Sequence, residues 1–163
     1  MDDGSRGCVL GREDGEASWF LDTRMTVEAG AVQTRGAWAL LEWSAPRGFG
    51  PPRHVHTAED EAFYVLEGEL VAECGERRMT AGPGDFVFLP CGVPHVFVVS
   101  AGPLRALQLT SPAGFEDFVA EIGRPPTGPG LPEPSAPDVP RLVEVGSRHG
   151  AGIVGPPLPL PEG

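Results

Sequence analysis

Apolar residues recur along this chain mostly in short alternating runs, with a period of two. In the segment GAWALLEWSAP, for example, Leu41 and Trp43 share one face of an extended chain, opposite to Trp38. Similar runs follow as far as residue 112, and turn residues separate them at intervals of about eight to twelve positions. This pattern predicts an all-β domain built as a sandwich or a barrel.

The predicted strands are rich in aromatic and β-branched residues, which suit a pleated surface. They cover residues 18–27, 36–46, 54–56, 61–74, 77–90, 92–102 and 104–112. Of these, 61–74 is interpreted as a hairpin, and 77–90 as two strands around a Gly-Pro-Gly turn. The 23 glycines and 19 prolines of the chain agree with short strands and many turns.

The periodicity changes after Ser111. Phe115, Phe118 and Ile122 follow one another at helical spacing, and Gly123 is a suitable C-terminal cap. A Pro-rich linker over 124–140 cannot pack a core, whereas 138–150 predicts a second short helix before an extended tail.

Three regions follow from these changes. We expect a flexible leader over 1–17, a β-barrel with a closing helix over 18–123, and a linker, short helix and tail over 124–163, packed on the barrel.

Composition excludes several classes of partner. The formal net charge is −11, and no cluster of Lys and Arg is present to neutralise phosphates, so we expect no nucleic-acid partner. The first residues lack the basic and apolar segments of a secretory signal, and no apolar run is long enough to span a bilayer. Three cysteines at wide spacing, Cys8, Cys74 and Cys91, indicate free thiols rather than a disulfide framework. A cytoplasmic protein without a membrane partner is therefore expected.

Two of the four histidines are separated by a single residue. His54 and His56 project from the same face of a strand, so both imidazoles can point to one metal ion. Two surface histidines that happen to alternate are the structural alternative. His95 shares its face with apolar Phe97 and Val99, and a histidine there is either a core residue or a third ligand.

A carboxylate can join these histidines. Glu61 shares the face of Phe63 and Val65, and a buried acid needs a partner or a cation. Glu59 and Asp60 compete for this role but fit a solvated acidic cluster better. Of the remaining candidates, Cys91 is interpreted as a structural turn residue, and His149 as a solvated residue of the tail.

These residues fall into two spaced motifs, and the chain resembles the cupins, in particular bacterial single-domain quercetin 2,3-dioxygenase-like cupins. The first motif is met by Gly48, His54, His56, Glu61 and Gly68. The second is met by Gly84, Pro90, Gly92 and His95, although Val99 stands where the motif ends in Asn. Segments such as DEAFYVLEGEL and HGAGIVGPPL extend the likeness over about residues 18–158.

The resemblance implies an antiparallel jelly-roll barrel with one divalent transition metal ion, Fe, Mn, Ni, Co, Cu or Zn, held by His54, His56, Glu61 and His95. It implies a dioxygenase that uses O₂ on a small enolic or phenolic substrate, with Glu61 as the catalytic proton acceptor. We expect the apolar residues Trp38, Phe63, Phe88 and Phe97 to line the substrate pocket.

Other interpretations remain open at this point. The same ligands serve non-oxidative isomerases, epimerases and polyketide cyclases, and a binding protein without turnover is a further alternative. The resemblance also implies a homodimer.

Overall fold

The computed structural model describes residues 7–11 and 14–161. Its strands are β1 (Glu16–Phe20), β2 (Thr23–Ala29), β3 (Ala39–Ala45), β4 (Pro52–His56), β5 (Asp60–Cys74), β6 (Arg77–Ala81), β7 (Phe86–Leu89), β8 (His95–Ser111) and β9 (Ala151–Pro157). Its helices are α1 (Ala31–Thr34), α2 (Phe115–Ile122) and α3 (Val139–Arg148). The predicted all-β class is confirmed.

All strand pairs are antiparallel, and the sheet curls into a barrel. Its main path runs β1, β2, β3, β8, β4 and β9, while β5 pairs with β6, β7 and β8. The inward face has the predicted period of two: Leu41, Trp43 and Ala45 of β3 are fully or almost fully buried. Trp43 packs against Phe63 and Phe97 at ring-centroid distances of 5.4 Å each, which forms the aromatic centre of the core.

Residues 61–74 form one long strand, so the prediction of a hairpin there is wrong. The ladder between β5 and β8 runs from the pair Asp60 and Ser111 to the pair Cys74 and His95, with shifts in register around Gly68. Gly68 has a φ of +79°, and a Cβ placed there would lie 2.7 Å from the carbonyl oxygen of Ala101. The glycine thus bends a continuous strand pair instead of reversing the chain.

The two ends of the chain also depart from the predicted elements. Residues 18–27 belong to two strands, β1 and β2, because Leu21 takes a left-handed conformation (φ 54°) in the turn that joins them. The tail does not simply lie on the barrel, since β9 pairs with β4 and extends the sheet. The predicted leader lies partly outside the described residues, and Glu16 and Ala17 already belong to β1.

The two predicted helices near the C-terminus are present. α2 buries Phe115 and Val119 against the barrel and ends at Gly123, as the sequence predicts. α3 begins after Asp138, whose side chain accepts a hydrogen bond from the Arg141 amide as an N-cap. No helix within the described part of the chain is long and apolar enough to cross a bilayer.

The Pro-rich linker between these helices is fastened to the barrel by hydrogen bonds. The Trp19 indole donates to the carbonyl of Gly130, the Arg24 guanidinium donates to that of Gly128, and the Ser135 amide donates to the Asp22 carboxylate. The linker therefore crosses the β1–β2 hairpin and delivers α3 and β9 to the barrel mouth.

Candidate metal centre

Three strands bring His54, His56, Glu61 and His95 to one point inside the barrel. One donor atom from each lies within 4.8 Å of the others. His54 and His56 come from β4, Glu61 from the start of β5 and His95 from the start of β8, and His54 stands directly opposite His95 in the ladder. The structure thus brings all four predicted ligands together.

Each histidine ring is held through its Nδ1 atom. Nδ1 of His54 lies 2.8 Å from the carbonyl oxygen of Pro52, and Nδ1 of His95 lies 2.9 Å from that of Val93. Nδ1 of His56 lies 2.8 Å from Oε1 of Glu59. Because a carbonyl oxygen only accepts hydrogen bonds, the contacts of His54 and His95 assign the proton to Nδ1 and leave the Nε2 lone pair of each neutral ring free. The Glu59 carboxylate favours the same tautomer of His56 through a close ion-pair contact that is not aligned as a hydrogen bond.

Glu61 faces these rings with one of its oxygens. Oε2 lies 3.2 Å from Nε2 of His95 and 3.8 Å from Nε2 of His56. Oε1 points away and accepts a 2.6 Å hydrogen bond from Nε2 of Gln108. Glu61 and Gln108 are 3% and 2% exposed, so this pair is shielded from water.

This donor set fits a cation. Nε2 of His56, Nε2 of His95 and Oε2 of Glu61 are fully buried and have no properly aligned hydrogen bond among the described residues. Electron-rich atoms that converge without donors between them are costly to bury, and a metal ion would satisfy them together. Imidazole nitrogens with one carboxylate suit the first-row transition metals. The four residues are therefore a candidate metal-binding cluster of the type expected from the sequence.

The protonation of the cluster is strongly perturbed. Burial lowers the pKa of His54 from 6.5 to about 4, against the opposing effect of Glu61. Burial acts in the same direction on His56, but the close contact with Glu59 and the charge of Glu61 outweigh it, so that the pKa of His56 is raised. Burial tends to raise the pKa of Glu61, whereas the approach of His95 and the other imidazoles lowers it overall.

His54, His56 and Glu61 of the cluster line an open, largely apolar cavity, which has about 750 Å³ of empty space when the solvent at its mouth is included. Barrel residues of the wall include Met25, Trp43, Phe97 and Gln108. The rest comes from the C-terminal region, where Phe115 and Phe118 of α2, Leu142 and Gly146 of α3, and Ala151 and Ile153 of β9 close one side. A lining of this apolar character suits a small, mostly apolar molecule.

The four residues predicted to line the pocket occupy three different places in the structure. Phe97 lines the cavity, and Phe63 is buried behind it against Trp43. Trp38 and Phe88 are 40% and 50% exposed and do not line the cavity, so the pocket prediction is corrected at these two positions.

The reason for both corrections is strand register. In β7, Val87 and Leu89 take the inward positions, opposite Phe63 and Glu61, and Phe88 therefore points outward. Trp38 precedes β3, and the inward aromatic position of that strand belongs to Trp43.

Sequence reasoning missed two residues of the cluster's surroundings. Glu59 is 8% exposed and contacts His56, so it is not part of a solvated acidic group. Its position three residues after His56 could have suggested this contact. Gln108 had no such signal, because only the pairing of β8 with β5 brings it to Glu61.

Two residues outside the cluster also have defined partners. Asp60 accepts a hydrogen bond from the amide of Cys91, which agrees with a structural role for that turn. His149 is not a solvated tail residue, since its Nε2 lies 2.8 Å from Oε2 of Glu121 and its side chain is 24% exposed.

Comparisons with known proteins support a common family. Residues 42–110 match the model of the Cupin domain. Quercetin 2,3-dioxygenase of Bacillus subtilis is 26% identical over 145 residues, which cover 88% of this chain and 43% of that protein. Dimethylsulfoniopropionate lyase DddQ of Ruegeria pomeroyi is 42% identical over 67 residues, which cover 39% of this chain and 32% of that protein. The matches thus span less than half the length of either relative.

Solved structures share the fold. KdgF from Halomonas sp. aligns with a TM-score of 0.59 and 18% identity, over 66% of this chain and 94% of that one. The Streptomyces nucleoside dehydratase Pac13 aligns with a TM-score of 0.55 and 18% identity, over 73% of this chain and 90% of that one. The two spaced motifs, the curled antiparallel barrel and the match of residues 42–110 to the Cupin domain together support the cupin superfamily.

Proposed function

We propose that this cupin is a metal-dependent enzyme, and that it acts as a dioxygenase on a small enolic or phenolic substrate. The observation that carries the proposal is the convergence of three Nε2 atoms and Glu61 Oε2 beside an apolar cavity. The 26% identity to a quercetin 2,3-dioxygenase over most of the chain supports the substrate class.

His54, His56 and His95 would hold the metal through Nε2, and Glu61 through Oε2. When bound, a divalent ion of this group (Fe, Mn, Ni, Co, Cu or Zn) supplies Lewis acidity toward an enolate or phenolate oxygen and, where it is redox-active, a path for electrons to O₂. Three neutral ligands and one carboxylate leave a net charge of about +1 on the site, which favours an anionic substrate oxygen.

The chain's own residues supply binding and proton transfer. Apolar side chains such as Trp43, Phe97 and Phe115 line the cavity, contact a flat substrate and exclude water from it. Glu61 is the carboxylate of the cavity wall and acts as the catalytic base for the substrate hydroxyl. Oε1 is bonded to the Gln108 amide, so Oε2 is the atom that either holds the ion or, when it is free of the ion, takes the proton.

Metal analysis and oxygen uptake together test the proposal. Purified protein is expected to hold one divalent ion per chain, and His54→Ala is expected to lose most of it. Equal metal content in the wild-type protein and in His54→Ala would contradict the proposed metal site. Loaded protein should consume O₂ when a flavonol is added, and the metal-depleted protein should not.

Non-oxidative chemistry is the second candidate. It is supported by the 42% identity to a lyase over 67 residues, which cover 39% of this chain. The same cluster then polarises a carbonyl while Glu61 removes a proton from carbon. Turnover that continues unchanged without O₂ identifies this candidate, and tight ligand binding without product identifies a binding protein.

We also propose that two copies of the chain associate. Tyr64, Phe86, Phe88 and Leu109 are between 38% and 66% exposed, and strand pairing places them side by side on the outer face of β5, β7 and β8. Exposed apolar surface of this kind is typical of protein contacts. Light scattering should give the mass of a dimer, and Phe86→Glu should give that of a monomer.

Cytoplasmic location remains a prediction from the sequence.

A further inference from the structure

Among the described residues, Gln108 is the one that donates a hydrogen bond to Oε1 of Glu61. Its amide nitrogen lies 2.6 Å from Oε1, and both side chains are almost completely buried. Gln108 stands opposite Phe63 in the β5–β8 ladder, one inward position before Thr110, which stands opposite Glu61. The inward face of β8 therefore carries two polar residues beside the acid, and the first of them holds it.

We propose that Gln108 is a positioning residue that keeps Glu61 a single-oxygen metal ligand and thereby leaves two coordination positions open for substrate. This inference rests on the metal centre of the proposed function. It adds to that function a residue that controls how many coordination positions of the metal are open to substrate.

The physical basis is the free-energy cost of leaving a buried hydrogen-bond donor without an acceptor. A carboxylate can bind a metal through one oxygen or through both. Binding through both would require Glu61 to turn Oε1 toward the ion, and the Gln108 amide would then lose its acceptor inside the protein. An unsatisfied buried donor is costly, whereas the observed geometry satisfies Oε1 with Gln108 and leaves Oε2 for the ion.

The number of open positions follows from this arrangement. Three Nε2 atoms and Oε2 fill four sites of an octahedral ion, so two remain. Without the Gln108 amide, Oε1 is free to chelate, and only one position remains. Gln108 thus controls whether a bidentate substrate, or a substrate together with O₂, can reach the metal.

The test compares the Mn²⁺-loaded wild-type chain with Gln108→Met and Thr110→Val. Methionine keeps the length and volume of glutamine but donates no hydrogen bond. Thr110→Val is the matched control, because it changes a buried polar residue of the same strand face whose hydroxyl has no hydrogen-bond partner in the described structure. Water-proton relaxation counts the exchangeable waters on the bound Mn²⁺ without any substrate.

We expect the relaxation enhancement per bound Mn²⁺ to fall by about half in Gln108→Met, as two open positions become one, and to remain at the wild-type value in Thr110→Val. Equal enhancement in all three proteins would overturn the inference. Circular dichroism verifies that each variant is folded.

A crystal structure of the Mn²⁺-loaded wild-type chain decides the question even if Gln108→Met does not fold. Oε1 bonded to Gln108 supports the inference, and Oε1 on the metal overturns it. Absence of oxygen uptake would count against the dioxygenase proposal and leave the relaxation result unaffected. A wild-type chain that binds no divalent ion would overturn both.

Discussion

At the scale of single residues, His56 differs from the other candidate ligands in what holds its ring. Backbone carbonyls accept hydrogen bonds from His54 and His95, whereas Nδ1 of His56 forms a close ion-pair contact with the Glu59 carboxylate. A carboxylate partner orients an imidazole and makes its free nitrogen a stronger metal ligand.

Replacing Glu59 should therefore weaken metal binding without removing a ligand. For Glu59→Ala we expect a loss of affinity of about 10- to 100-fold. Glu59→Gln should lose less, because its amide oxygen still accepts the Nδ1 proton. Competition with a chelator measures both, and the exposed Glu67→Ala serves as control. Wild-type affinity in Glu59→Ala would show that the contact is incidental.

The pH dependence of metal binding follows from the same residue. Protons compete with the ion for Nε2, and the pKa of His56 in the metal-free chain lies above its ordinary value of 6.5. Affinity should thus decrease as the pH falls through that raised pKa, while His54, with a pKa of about 4, adds to the loss only in stronger acid. Titration of Zn²⁺ affinity between pH 8 and about pH 5 checks this. A constant affinity over that range would contradict it.

At the scale of elements, the bend in β5 and β8 assembles the centre. Glu61 and His95 lie near opposite ends of the same ladder, yet their side chains approach to 3.2 Å. A straight ladder would keep them far apart, because each strand residue advances about 3.3 Å. The register shifts around Gly68 let the two halves of the strand pair face each other across the barrel.

Gly68→Ala should consequently be severely destabilising. The new Cβ would meet two carbonyl oxygens, of Ala101 and Pro103, within 2.8 Å, in a left-handed backbone conformation. We expect a loss of at least ~2 kcal/mol in the free energy of unfolding. Gly82→Ala is the control, since nothing lies within 4 Å of its Cβ position. Denaturant unfolding of both variants decides whether the bend requires glycine.

At the scale of the whole molecule, the C-terminal region completes the cavity that the barrel begins. Glu121 of α2 contacts Arg148 and His149, and its carbonyl accepts from Arg141, so one residue joins both ends of α3 to α2. α3 in turn supplies Leu142 and Gly146 to the cavity wall.

Removing the Glu121 carboxylate breaks its contacts with Arg148 and His149 but keeps the backbone bond from Arg141. This loss at the C-terminal end of α3 should loosen the wall and leave the barrel intact. For Glu121→Ala we expect faster amide hydrogen exchange in α3 and β9, but no change in β5 and β8. Glu144→Ala, which removes an exposed acid of α3, is the control. Hydrogen-exchange rates in α3 and β9 that equal those of the wild-type chain in both variants would show that apolar contacts hold α3 instead.

Much of this architecture was predictable from local patterns. The strand of Leu41 and Trp43, the Gly-Pro-Gly turn and the closing helix at Phe115 each depend on neighbouring residues and are confirmed. The hairpin predicted around Gly68 was wrong, because a glycine with positive φ serves a turn and a bend equally well. Trp38 and Phe88 were misplaced because apolar character does not fix which face of a strand is inside.

The sequence by itself determined which candidate ligands share a face of a strand. His54 shares a face with His56, Glu61 with Phe63, and His95 with Phe97, because side chains alternate along any strand, a property of the local backbone. Only the tertiary structure decided that Glu61 meets His95, that Gln108 and Glu59 support the cluster, and that α3 and β9 wall the cavity. Those contacts join residues far apart in the chain, and they depend on how the strands bend and pair.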